Sequence, residues 1–267
     1  MSLNRNILLT ISYDGTDFCG WQRQDDVKGG EAQRTVQGEI EKALEKIHKE
    51  KTLVYGSGRT DSGVHALGQA ANFYSPIDSM PAGNYVRALN AFLPGDVRIL
   101  EAREVPEDFS ARKSATSRVY RYFISFGDSV AANNTRFTWF VNKYQPNLER
   151  LNKYCQCLKG ELDCSSFAAS GDDSVSNFRY IDDAHFFIQK DIWGHDLLVF
   201  QIEANAFLWK MVRTLTGTLI NLDKTVADED SMKKILEAKD RTKAGVTAPP
   251  TGLFLYEIKF DGARRHV

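Results

Sequence analysis

The chain has 267 residues, of which 42% are hydrophobic and 26% charged, with a formal net charge of −1. That composition is ordinary for a globular protein and long enough to bury a sizeable core, which excludes a disordered or collagen-like chain. No apolar run approaches the roughly 18–20 residues that span a bilayer, and the N-terminus runs straight into a predicted strand, so neither a membrane protein nor a secretory signal is expected and a cytoplasmic location is.

The first predicted element is a strand at residues 6–13, closed by the turn pair Asp14-Gly15. Residues 23–34 are polar and glycine-rich and read as a mobile loop, a candidate flap. Thr35 is placed to cap a helix whose stripe is Val36, Ile40, Ala43, Leu44 and Ile47. A strand at 52–57 leads into Gly56-Ser57-Gly58-Arg59-Thr60-Asp61-Ser62-Gly63-Val64-His65, and another follows at 69–74. A helix at 84–93 and a strand at 97–105 complete an N-terminal half, residues 1–110. The C-terminal half, 111–267, opens with a strand at 117–126 and a helix from Leu148 towards Gly160. After a polar loop at 168–177 come strands at 178–190 and 196–204, a long helix at 206–222, a short one near 230–238 and a final strand at 253–260. Strands and helices do not alternate strictly, so the class is α+β with a largely antiparallel or mixed sheet.

The four cysteines, Cys19, Cys155, Cys157 and Cys164, show no zinc spacing and no disulfide framework, so reduced thiols are expected and no metal. Charge is uneven. Residues 1–110 carry 12 basic and 16 acidic side chains; the rest carry 22 and 19. Residues 112–122 hold Arg112, Lys113, Arg118 and Arg121 with Tyr120 and Tyr122 and no acid, a composition suited to phosphates and stacked bases.

Asp61 is the chemically most informative residue. It lies in a loop bracketed by Gly56, Gly58 and Gly63, with Arg59 two residues before it. The glycines permit positive φ and a close ligand, and the cation favours an ionised carboxylate. Metal binding needs more acids than this segment supplies, and two-carboxylate glycoside hydrolysis needs a partner that is not identifiable here. A single-carboxylate reaction at an anomeric carbon or an electron-poor ring remains, with Asp61 as nucleophile or base.

Gly58-Arg59-Thr60-Asp61-Ser62-Gly63-Val64-His65 with Gly68-Gln69 resembles the catalytic motif of the TruA-type tRNA pseudouridine synthases. The resemblance continues through Tyr13-Asp14-Gly15, Gly20-Trp21-Gln22, Leu93-Pro94-Gly95-Asp96, Phe109, Ala111-Arg112, Tyr120-Arg121-Tyr122, Ala204-Asn205-Ala206-Phe207 and Met211-Val212-Arg213. It implies two similar RRM- or ferredoxin-like halves sharing a central, largely antiparallel sheet with an active-site cleft between them. It implies an isomerase that converts uridine to pseudouridine at positions 38–40 of the tRNA anticodon stem-loop, as a homodimer without cofactor or catalytic metal. Asp61 then matches the catalytic aspartate, Arg213 its ion-pair partner and Tyr120 the tyrosine against the target base. Arg59 is expected to fill the gap or to hold the displaced nucleotide, Phe109 belongs to the RNA-facing segment, and Arg112 and Lys113 grip phosphates. His65 is expected to be structural and Tyr122 to lie in the core. Three stretches depart from the family pattern: the loop Ala168-Ala169-Ser170-Gly171-Asp172-Asp173, the pair Trp209-Lys210, and the segment 23–34, which is longer than typical. The competing readings are an RNA-binding module without chemistry and a nucleosidase or glycosidase.

Overall fold

The computed structural model describes residues 5–24, 33–263 and 265, which form two compact units. One runs to Ala115 and takes in Leu255–Asp261; the other comprises Thr116–Phe254 with residues that follow Asp261. Most of the predicted 23–34 loop, residues 25–32, lies outside the described residues.

In the first unit the elements run β1 (Arg5–Tyr13), α1 (Val36–His48), β2 (Tyr55–Gly56), β3 (His65–Ser75), α2 (Asn84–Asn90) and β4 (Val97–Val105). β1 pairs antiparallel with β3 (Ile7 opposite Phe73) and with β4 (Ile7 opposite Glu104), and β2 pairs antiparallel with β3. The resulting strand order, β4-β1-β3-β2, is that of a split β-α-β. Period-two alternation puts Ile7, Leu9 and Ile11 on one face, all wholly buried, each worth roughly 1.5–3 kcal/mol of transfer free energy. Val36, Ile40 and Leu44 are wholly buried too. Thr35 caps α1 as expected, its hydroxyl accepting from the backbone N–H of Gly38 at 3.3 Å.

The second unit holds β5 (Ser117–Gly127), β6 (Trp139–Asn142), α3 (Leu148–Cys155), β7 (Gly160–Asp163), β8 (Phe178–Lys190), β9 (Asp196–Ala204), α4 (Met211–Lys224) and α5 (Ser231–Ala238). Its order is β5-β9-β8-β7, antiparallel throughout, with β6 parallel to β5. The last strand, β10 (Leu253–Lys259), belongs mostly to the first unit, where it lies beside β3. The class is α+β with a mixed, largely antiparallel sheet.

Several expected boundaries move. The strand expected at 52–57 is only two residues long, because Glu41 Oε1 accepts the backbone N–H of Val54 and Gln37 Nε2 donates to its carbonyl, so this stretch bonds to α1 side chains. α3 ends at Cys155 and Gly160 opens β7, which sequence reasoning missed along with β6. α4 starts at Met211 instead of 206: Lys210 sits in the left-handed region at φ 59°, which no helix tolerates.

All four cysteines are free thiols. Burial pushes the Cys164 thiol up to about 12 and that of Cys157 up to about 11, so both stay protonated and inert at neutral pH. Among the described residues no group of His, Cys, Asp or Glu side chains is arranged to hold a metal, and no helix is long and apolar enough to cross a membrane.

Candidate active site

Asp61 lies on the loop joining β2 to β3, and that loop is fastened on both sides of it. Thr60 O accepts the backbone N–H of Trp21 at 3.1 Å, and Thr60 Oγ1 is 2.8 Å from the hydroxyl of buried Tyr13. On the other side Ser62 Oγ donates to Phe18 O at 3.1 Å, as does the Gly63 N–H at 3.3 Å. The loop closes on itself through Val64 N–H to Asp61 O at 3.2 Å. The Asp61 side chain is half-buried and that of Arg59 exposed.

The bracketing glycines have different jobs from those expected. Of the three, only Gly63 has positive φ, at 76°. Gly56 is required for a close approach instead, since a Cβ there would fall 2.5 Å from Nε1 of Trp21. A Cβ at Gly58 would meet nothing within 4 Å, so the loop is open on that side.

Gln69 is the residue whose role sequence reasoning missed. It is fully buried, accepts from Ser57 Oγ at 2.7 Å and donates to Gly58 O at 3.0 Å, so one amide fixes the entry to the loop. Its role depends on Gly58 and Ser57, eleven and twelve residues away, so β3 itself carried no signal that set it apart from buried His65 and Asn72. His65 is wholly buried; its Nδ1 accepts the backbone N–H of Gly15 at 3.1 Å and lies 3.2 Å from Asp14 Oδ1, a structural role.

The basic segment of the first unit is a turn built on two buried asparagines. Asn72 Nδ2 donates to Asn6 Oδ1 at 2.9 Å; Asn6 Nδ2 donates to Phe109 O at 2.9 Å, and Asn72 Oδ1 accepts from Ala111 N–H at 2.9 Å. This presents Arg112 and Lys113 exposed, with Phe109 against Phe260 at 5.2 Å between ring centres.

In the second unit Tyr120 is nearly buried on β5, with the Phe207 ring edge-on at 5.0 Å. Arg213, in the first turn of α4, is tied reciprocally to Ala248: its Nε donates to Ala248 O at 2.8 Å and its carbonyl accepts from Ala248 N–H at 3.1 Å. Tyr122 is wholly buried and donates to Pro249 O at 2.6 Å; burial pushes its hydroxyl far up despite the nearby charge of Arg213.

These arrangements give a fixed, accessible carboxylate in one unit and, in the other, a tyrosine and an arginine held by aromatic and backbone contacts. A family model described as tRNA pseudouridine synthase matches residues 9–112 and 154–261. The chain belongs to that family. Relatives carrying the name tRNA pseudouridine synthase A include one from Treponema denticola, 54% identical over 96% of this chain and 93% of its own length. One from Brachyspira hyodysenteriae is 43% identical over 96% and 98%, and one from Caldicellulosiruptor saccharolyticus 41% identical over 96% and 100%. The two segments matched by the tRNA pseudouridine synthase model hold Asp61 and Arg213, while Tyr120 falls in the interval between them. As a tRNA pseudouridine synthase the chain is an isomerase, and its reaction requires no group to enter or leave.

Proposed function

We propose that this protein converts uridine to pseudouridine in the anticodon stem-loop of tRNA, at positions 38–40, with Asp61 acting on a nucleotide extruded from the stem. The observation that carries the reading is the fastening of Thr60 and Ser62 on either side of Asp61, which aims one carboxylate without the entropy of a free loop. In the reaction the bond from N1 of uracil to ribose C1′ breaks and a bond from C5 to C1′ forms. The C5 proton leaves to solvent and N1 ends protonated, so atoms and charge balance. Asp61 acts as the nucleophile or the base. A paired uridine is out of reach inside a stem, so extrusion precedes chemistry.

The remaining roles follow the resemblance and the chemistry of the residue types. Arg213 is the ion-pair partner of Asp61. Tyr120 packs on the target base and serves proton removal from C5. Arg59 holds the displaced nucleotide. Arg112 and Lys113 bind phosphates, which sets position and not sequence, and Phe109 supports them. The protein acts as a homodimer in the cytoplasm on tRNA, with neither cofactor nor metal.

The test is Asp61→Ala, read by tritium release from C5-labelled uridine in a tRNA transcript. The expected result is loss of release with tRNA binding intact. Full release would overturn the reading. Binding by wild type without release would favour an RNA-binding module instead.

A further inference from the structure

The surroundings of Trp209 are built. The indole is 44% exposed, while the residue's backbone is locked at both ends to the polar loop 168–177. Its N–H donates to the carboxylate of Asp172, and its carbonyl accepts from the N–H of Ala169 at 3.1 Å. The other Asp172 oxygen accepts the N–H of Ser174 at 2.8 Å, so this acid is spent on backbone donors and its charge is compensated locally. The next residue, Lys210, adopts the left-handed conformation at φ 59°, uncommon for a residue with a Cβ. That turn carries its ammonium over one face of the indole, 4.2 Å from the ring centre. The pair therefore couples a large aromatic surface on a fixed backbone to a cation, inside a stretch whose Phe207 packs on Tyr120 and whose Arg213 lies in the first turn of α4.

We infer that Trp209 is a stacking platform for a nucleobase of the substrate RNA, with Lys210 beside it to neutralise the phosphate of that nucleotide. Aromatic stacking with an adjacent cation is how single-stranded or splayed nucleotides are held without hydrogen-bond readout. A nucleotide displaced when a target uridine leaves its stem has such a splayed base, so Trp209 is a positioning residue that helps set which nucleotide is presented. The acidic loop fits this picture, since Asp172 anchors the platform through the Trp209 backbone and has no RNA contact to make. The inference rests on the proposed function for its substrate class.

The probe is an unmodified tRNA transcript, titrated into wild type, Trp209→Phe and Trp209→Ala. The chain has four tryptophans, so the signal of Trp209 is the difference between wild type and Trp209→Phe. The transcript should quench wild-type fluorescence, and Trp209→Phe should lose that quench yet keep affinity within about threefold, because phenylalanine still stacks. Trp209→Ala should bind about tenfold more weakly, with KM raised and kcat little changed. Wild-type affinity in Trp209→Ala, or an unchanged quench in Trp209→Phe, overturns the inference. So does an altered oligomeric mass in Trp209→Ala with unchanged tRNA affinity, which would make the tryptophan a protein contact. Quenching by tRNA without tritium release would sink the proposed activity and leave the stacking platform standing.

Discussion

Gln69 donates its side-chain amide to the carbonyl of Gly58 at 3.0 Å, and so a fully buried residue of β3 sets where the Asp61 loop begins. Its other amide atom accepts from Ser57. Gln69→Leu removes these bonds and the one that Gln69 Oε1 accepts from Ala70 N–H at 3.1 Å, and should cost about 2 kcal/mol, the cost of stripping partners from buried polar groups. Because the loop entry loosens, kcat should fall while KM for tRNA changes little. Urea denaturation and single-turnover tritium release check the two parts; a destabilised variant with wild-type kcat would mean that Gly58 does not govern the aim of Asp61.

Tyr120→Phe keeps the ring, its edge contact with Phe207 and its burial, and removes only the hydroxyl. Stability should stay within about 1 kcal/mol, since only one hydroxyl's interactions are lost. If the hydroxyl serves proton removal from C5, product formation should drop at least about 100-fold, the lower range of general acid–base effects. Gel-shift affinity for tRNA should persist. Unchanged single-turnover rates would remove the chemical role and leave Tyr120 as a packing surface.

Asp223 is the centre of the second unit's buried polar network. Its carboxylate accepts from Tyr144 Oη at 2.5 Å, from Asn147 N–H at 3.1 Å and from Arg150 Nε at 2.7 Å. Burial, and then the bond to Asp223, push the Tyr144 hydroxyl up, so it donates across the working pH range. Asp223→Ala leaves the Arg150 charge and the Tyr144 hydroxyl uncompensated and should cost about 3–5 kcal/mol. Asp223→Asn should cost less, because its amide oxygen can still accept two of these bonds, though its amide N–H then faces the remaining donor. Thermal unfolding of the two variants, compared with wild type, checks the ranking; equal and small losses would show that the network contributes little.

His48 supplies a pH dependence. Its Nδ1 is 2.7 Å from Thr52 Oγ1 and its Nε2 2.8 Å from Tyr85 Oη, which in turn is 2.5 Å from Ser75 Oγ. Burial pushes its pKa below the ordinary 6.5, with Glu50 opposing weakly. The unfolded chain therefore takes up a proton near 6.5 that the folded one refuses. Stability is full above 6.5 and is lost as pH falls from there towards the lower folded value. In His48→Gln that part of the acid-side loss should disappear. Urea midpoints at pH 7.5 and 5.5 for both proteins check it; an identical pH slope would assign the loss to other groups.

Much of this was legible in the residues. The bounds of β4, β8 and β9 coincide with their predicted ranges, because each carries β-branched or aromatic side chains between turn residues at both ends. The cap at Thr35 was readable from one hydroxyl before an apolar stripe. What escaped was set by contacts distant in sequence. Residues 52–54 have strand composition, yet Glu41 and Gln37 of α1 take the Val54 backbone. The start of α4 was hidden because the left-handed residue is a lysine, which carries no compositional mark. At the site, Asp61 announced itself through its glycines, but the division of labour among them depends on where the Trp21 indole falls, and Gln69 became informative only once Ser57 and Gly58 were seen beside it.

The placement of β10 beside β3 has a consequence for biosynthesis. Ribosomes make the strands around the Asp61 loop first and their neighbour, Leu253–Lys259, only after β5–β9. Until then β3 lacks a hydrogen-bonding companion along part of one edge, in the very strand that carries Gln69. Ordering of the Asp61 loop is thus deferred until β10 has been made, and a nascent polypeptide that stops short of that strand would expose a sticky edge.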